Sequence, residues 1–404
     1  MNILFLNFGV SGFAGDAKQP LLIAKGLMDL GHNVVLAVPD GDKFFFDEAK
    51  SKSYAPIRKK LLDAKGEYVK IEGVQVLPIH CVSEKLGYYC PDAVKIGKKI
   101  LPEFDVVYCL HWYYHLAMTF SKIAHDLKVP FIIAAMAAFE KPAHSLKSSR
   151  KKILDLLYTK KLFKNAGGFH SVGDLETKTY IELGADPEKI FKVNHGIIPE
   201  NFQIKKKTGI LEKNGIDLTK NSYIYNVGRI DPKKGLEILL ESFAKIVKNH
   251  ENLLLVITGT GIKKYVDEIK EYSKKLKIDD HVKFTGFVSE EAKLELFESA
   301  KLHVVTSHSD VHTTTAIESL AMGTPVVISK VSDFPEIDEY KAGITVDLDS
   351  DSVQKAVEEL LNDEEKLKEY SKNAKILVNE KFLLENKFKE YEHMFEEIIK
   401  KYKN

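Results

Sequence analysis

The chain has 404 residues, more than one hydrophobic core usually serves, so two domains are the starting expectation. Its 59 basic and 58 acidic residues leave a formal charge of +1, which argues against bulk binding of nucleic acid. Hydrophobic residues at 44% and charged residues at 29% are ordinary for a soluble globular protein, and no apolar run approaches the roughly 20 residues that span a bilayer. No positively charged leader precedes the short apolar start at residues 1–6, so a secretory signal is not expected. Cys81, Cys90 and Cys109 are odd in number and lack metal-type spacing. That favours a reducing compartment over a disulfide framework, and the protein reads as cytoplasmic.

Short apolar, β-branched runs alternate with amphipathic ones along the chain. Strands are expected at residues 3–8, 33–38, 74–79, 106–110, 131–136, 168–172 and 191–194, with helical patterns at 20–30, 116–127 and 174–183. Several strands are apolar throughout, as strands buried on both faces of a parallel sheet must be. The second half repeats the scheme, with strands at 223–227, 253–258, 282–287, 302–306 and 325–329. Helices are expected between them at 236–247, 263–276, 290–300 and 315–322. This alternation predicts an α/β protein of two doubly wound parallel-sheet domains, with ligands at the carboxyl ends of the strands. The seam falls near residues 196–202, giving domains 1–198 and 199–383. From residue 351 onward the chain reads as charged helix that packs along the junction, its last helix, about 384–404, returning to the first domain. The cleft between the two domains is the expected binding site.

Two blocks carry candidate chemistry. After the strand at 223–227 comes Gly228-Arg229-Ile230-Asp231-Pro232-Lys233-Lys234-Gly235. Arg229 and Lys234 bracket a loop leading into a helix, where two fixed cations would stabilise a leaving diphosphate. A solvated basic loop is the plainer alternative. The second block is Ser307-His308-Ser309-Asp310-Val311-His312-Thr313-Thr314-Thr315-Ala316-Ile317-Glu318. A helix starting within the threonines would offer free N–H groups and hydroxyls to an anion, and Glu318, a turn inside it, would accept ribose hydroxyls. Ordinary capping by Asp and Thr is the alternative here.

Together the blocks are more specific. The chain resembles the family 4 glycosyltransferases, which have the two-Rossmann GT-B architecture and retain anomeric configuration. The resemblance is strongest over residues 223–335, in Val-Gly-Arg-x4-Lys-Gly, the Gly286-Phe287-Val288 turn and Glu318-Ser-Leu-Ala-Met-Gly-Thr-Pro-Val-Val. Leu30-Gly31-His32-Asn33-Val34 and Asn194-His195-Gly196-Ile197 look like further landmarks. The resemblance implies Arg229 and Lys234 on the donor diphosphate, Glu318 on the ribose, and main chain near Phe287 and Val288 facing the base. It further implies the amides of Thr313, Thr314 and Thr315 on phosphates and sugar, and Gly15 where backbone approaches phosphate, with Ala14 in place of the first glycine of that pair. Asp310 stands where the family has Glu, Val311-His312-Thr313 replaces Gly-Phe-Gly, and Met136 replaces a frequent histidine. All three departures fall where the family touches sugar or acceptor.

Other signals are weaker. Gly259-Thr260-Gly261 follows a strand, but Lys264 occupies the position that would complete a dinucleotide fingerprint. Asp347, Asp349, Asp351 and Glu358 imitate a calcium loop without its glycine, Ser352 standing there, so helix capping is expected. His111 with His115 and His308 with His312 would share helical faces, but neither pair has a third metal ligand. His111, at a strand end, is the acceptor-side candidate. The basic segment 147–164, interleaved with Ile153, Leu154, Leu157, Tyr158 and Phe163, fits an anionic membrane surface or a solvated domain helix.

The expected function is retaining transfer of a hexose-type sugar from a nucleoside-diphosphate sugar, UDP favoured over GDP by the resemblance, with no essential metal or other cofactor. The acceptor is a glycan, a lipid-linked molecule or a small molecule. An epimerase or hydrolase on the same fold, or a non-catalytic nucleotide-sugar-binding protein, are the alternatives.

Overall fold

A computed structural model describes residues 1–10, 15–40, 48–83, 87–136, 138–139, 159–310 and 312–403. Ala14, Val311 and most of the basic segment 147–164 lie outside them. The chain divides into two compact units, Met1–His195 with Glu385–Asn404, and Gly196–Leu384.

The first unit is built on β1 (Asn2–Leu6), β2 (Asn33–Pro39), β3 (Val69–Ile71), β4 (Val74–Ile79), β5 (Val106–Leu110), β6 (Phe131–Ala134), β7 (Gly168–Ser171) and β8 (Ile190–Lys192). Their order is β3-β4-β2-β1-β5-β6-β7-β8, all parallel except β3, which pairs antiparallel with β4. Both faces of the sheet are covered. Leu4 and Leu6 of β1 face a cluster with Trp112 and Phe120, while Ile3 and Phe5 face one with Tyr391, Met394, Phe395 and Ile398. Those last four belong to the terminal helix Leu384–Lys403, whose apolar residues three and four apart form one stripe. Glycines let it approach: a Cβ at Gly26 would lie 2.3 Å from the Phe388 ring, and one at Gly168 2.4 Å from Ile398. His32 Nε2 meets Glu392 at 2.7 Å on the same helix.

The second unit holds β9 (Ser222–Val227), β10 (Leu253–Thr258), β11 (Val282–Gly286), β12 (Leu302–Val305), β13 (Val326–Ser329) and β14 (Gly343–Val346). They form a wholly parallel sheet in the order β11-β10-β9-β12-β13-β14. Strand order reverses between β9 and β12 here, and between β1 and β5 in the first unit. At such a switch point the loops leave the sheet towards opposite faces and leave a crevice at the strands' carboxyl ends. Helix Ser350–Leu361 starts with Asp349 accepting from the N–H groups of Asp351 and Ser352. Asp349 is therefore a helix cap, and the calcium-like spacing serves that end.

Candidate functional site

The loop after β9 and the loop after β12 meet at the switch point of the second unit. Gly228 N–H donates to Thr258 O at 3.0 Å, and Ile230 N–H donates to Thr260 O at 2.9 Å. The approach is so close that a Cβ at Gly259 would lie 1.7 Å from Gly228 O, and one at Gly261 1.9 Å from Ile230 O. The Gly259-Thr260-Gly261 pattern thus lets two backbones touch, which is a packing reason for both glycines. The short 3-10 turn Pro232–Lys234 follows, its start capped by Asp231, whose carboxylate accepts from Lys233 N–H. His308 N–H donates back to Lys233 O at 2.7 Å, and Thr306 Oγ1 donates to the carbonyls of Lys234 and Gly235.

These contacts aim Lys234 at Asp310. The two side chains form an ion pair, each 25% exposed, and Ser307 Oγ donates to the same Asp310 oxygen at 2.8 Å. Arg229 stands differently: its side chain is 52% exposed, and its ion-pair contact among the described residues is loose, Nε to Asp231 Oδ2 at 3.8 Å. Lys234 is thus closely paired and Arg229 is largely exposed.

Helix Thr314–Met322 begins at Thr313 with no side-chain cap on its first turn. Thr313 and Thr315 hydroxyls lie 3.2 Å apart. An N-terminus of this kind presents backbone donors and a positive dipole end to an anion. Glu318, one turn along, pairs with Lys293 Nζ at 2.8 Å, both side chains being 12% exposed. Lys293 also donates to both oxygens of Glu290 at 3.1 Å. It comes from helix Glu290–Ser299, which starts after the half-buried Phe287 and Val288. No sequence signal pointed to Lys293. Its pairing with Glu290 is ordinary helical spacing, and its pairing with Glu318 is a product of the fold.

His312 has a buried ring. It adopts φ +45°, is 2% exposed, and its ring packs on Phe334 at 4.5 Å and Phe382 at 5.9 Å, with Nε2 3.8 Å from Glu336. Its N–H donates to Ser332 O. The imidazole is part of the core, and only the backbone of this residue is left for a ligand. His308 is exposed in the loop, so the two do not share a helical face. Nor do His111 and His115, because the helix His115–Asp126 starts only at the second.

In the first unit Gly15 opens helix Gly15–Asp29 after β1. His111 lies at that unit's switch point, just past β5, with φ +60° and its ring 4.6 Å from that of Phe8, which follows β1. Met136 beyond β6 also has positive φ, at +51°. Among the described residues no group of three His, Cys, Asp or Glu is arranged to hold a metal, and no helix is long and apolar enough to cross a membrane.

Two doubly wound sheets, each with a switch point, are the GT-B architecture. Residues 207–376 match the family described as glycosyl transferases group 1, which supports nucleotide-sugar-dependent glycosyl transfer to an acceptor. An uncharacterized glycosyltransferase of Methanocaldococcus jannaschii is 26% identical over 336 residues, 80% of this chain and 85% of that one. An alpha-monoglucosyldiacylglycerol synthase of Streptococcus pneumoniae is 26% identical over 214 residues, 51% of this chain and 47% of its own length. The crystal structure of Anabaena HepE in complex with UDP and glucose is similar in fold, with a TM-score of 0.74 at 17% identity over 98% of this chain and 100% of the other.

Proposed function

We propose that the protein is a retaining hexosyltransferase whose donor is a UDP-sugar, bound in the second unit. Lys234 and Arg229 take the diphosphate, Lys234 as the fixed charge and Arg229 as the mobile fork. The amides of Thr313, Thr314 and Thr315 add donors at the helix start, Glu318 receives the ribose, and main chain near Phe287 and Val288 meets the base. Gly15 is where backbone approaches the donor phosphate, His111 is the acceptor-side residue, and Asp310 meets the transferred sugar. The observation that carries this reading is the pairing of Lys234 with Asp310 beside the uncapped helix. A cation held at a strand's carboxyl end beside a helix N-terminus suits a bound diphosphate. UDP over GDP draws on the Anabaena relative's bound UDP.

The cations do the work that a divalent ion does elsewhere, so turnover should survive EDTA. The same reading puts the protein in the cytoplasm, where its thiols stay reduced, with an acceptor that is a glycan, a lipid-linked molecule or a small molecule. The streptococcal relative's lipid product makes a membrane-borne acceptor the first to try.

The test is transfer from UDP-sugars to an acceptor panel by wild type and Lys234→Ala. Removing one such contact lowers turnover by about 10² to 10³. Normal turnover by Lys234→Ala would overturn the assignment. Donor consumed without acceptor, to an isomer or free sugar, would instead make the protein an epimerase or hydrolase. Donor bound without any turnover would make it a binding protein.

A further inference from the structure

We infer that Lys293 is a positioning residue for nucleotide recognition, holding the Glu318 carboxylate oriented so that it accepts the hydroxyls of the donor's ribose; this rests on the reading of Glu318 as the ribose ligand.

Three charged groups from two helices meet in one place, with Lys293 and Glu318 nearly buried and Glu290 39% exposed. Lys293 Nζ contacts Glu318 Oε2 at 2.8 Å and both Glu290 oxygens at 3.1 Å. A surface ion pair would matter little, but here Lys293 and Glu318 are each 12% exposed, so water screens them poorly. Burial alone would lower the Lys293 pKa; the charges of Glu318 and then Glu290 outweigh it and hold the group above its ordinary value. The ammonium is therefore present throughout the neutral range.

Without it, Glu318 would lose the close charged contact at 2.8 Å that holds its carboxylate in place. A turned Glu318 no longer aims its oxygens at a diol. Lys293 also ties the helix that follows the Phe287-Val288 turn to the helix that carries Glu318. It thereby sets the spacing between the groups assigned to base and ribose. Substituting it should weaken recognition of the ribose hydroxyls and leave the diphosphate contacts alone.

The experiment compares the affinity of UDP with that of its 2′,3′-dideoxy analogue by calorimetry, on wild type, Lys293→Met, Lys293→Arg and Glu318→Ala, with GDP and its dideoxy analogue run alongside. Wild type should prefer the ribose form by about 10- to 100-fold, the range for hydrogen bonds to a charged group. Lys293→Met should lose most of that preference by binding UDP more weakly, with affinity for the dideoxy form unchanged. Lys293→Arg should regain part of it. A Lys293→Met protein that keeps the wild-type preference overturns the proposal, as does one that loses both ligands equally. If Glu318→Ala keeps the preference, or wild type binds none of the four nucleotides, the ribose reading itself fails. If Glu318→Ala loses it and Lys293→Met keeps it, only the Lys293 role fails. Should the Met protein not fold, Lys293→Gln replaces it under the same criteria.

Discussion

Lys234 already has a partner in Asp310, so a donor diphosphate that reaches it competes with a carboxylate. Neutralising that carboxylate should favour the anion and harm the sugar. Asp310→Asn is expected to bind UDP more tightly than wild type while turning over more slowly. Calorimetry with steady-state rates checks this, and weaker UDP binding by the variant would contradict it. A second consequence at this scale concerns two buried histidines. His170 takes a hydrogen bond from Tyr108 Oη at Nδ1 and gives one to Val193 O from Nε2. His303 gives one to Tyr225 O. Burial lowers each from 6.5 to about 4 in the folded protein. Between those values the unfolded chain binds more protons, so stability is complete above pH 6.5 and falls as pH drops towards 4. Denaturant titrations at pH 7 and pH 4.5 should differ by a few kcal/mol, the acid sample being weaker.

The elements at the site depend on close backbone approach. Gly235 has φ +58°, and a Cβ there would lie 2.1 Å from Thr306 O. Gly235→Ala must push the Lys234 turn away from the loop after β12, at a cost of about 1–3 kcal/mol or more. The expected result is a lower Tm together with weaker UDP binding; an unchanged Tm would show that the two loops separate freely. The same elements show why parts of the fold were legible. β10 was readable to its ends because all six of its residues are buried, which makes a continuous apolar run. β3 was not expected, having three residues of which only Ile71 is fully buried. β14 was missed as well, since two of its four residues are half exposed and it opens on glycine. Short edge strands carry too little apolar pattern to stand out from loop. The terminal helix was legible as helix by its stripe, and Phe395 lies in that stripe against Phe5 and Tyr108. Phe395→Ala should cost about 3–5 kcal/mol, read as a lower urea midpoint.

At the scale of the whole molecule, the site divides by how local its chemistry is. Arg229, Lys234 and the threonine-led helix were visible in sequence because each belongs to one loop after one strand. The pairings that set their electrostatics were not: Lys234 reaches Asp310 and Lys293 reaches Glu318 only once the sheet has set its strands in the order β11-β10-β9-β12. The burial of the His312 ring was not legible for a related reason, since its place in the motif says nothing of the left-handed backbone with which the ring lies in the core. If the donor-binding side chains all lie in Gly196–Leu384, bound nucleotide should stabilise that unit first. Ligand at one hundred times its Kd adds about 2.7 kcal/mol to the state that binds it, equivalent to about 100-fold slower exchange of amides that open only on unfolding. Hydrogen exchange with and without UDP should therefore show the largest protection at residues 228–235, 286–293 and 307–318. Protection confined to Met1–His195 would move the donor to the other switch point, beside Phe8 and His111, and would require the roles of the two units to be exchanged.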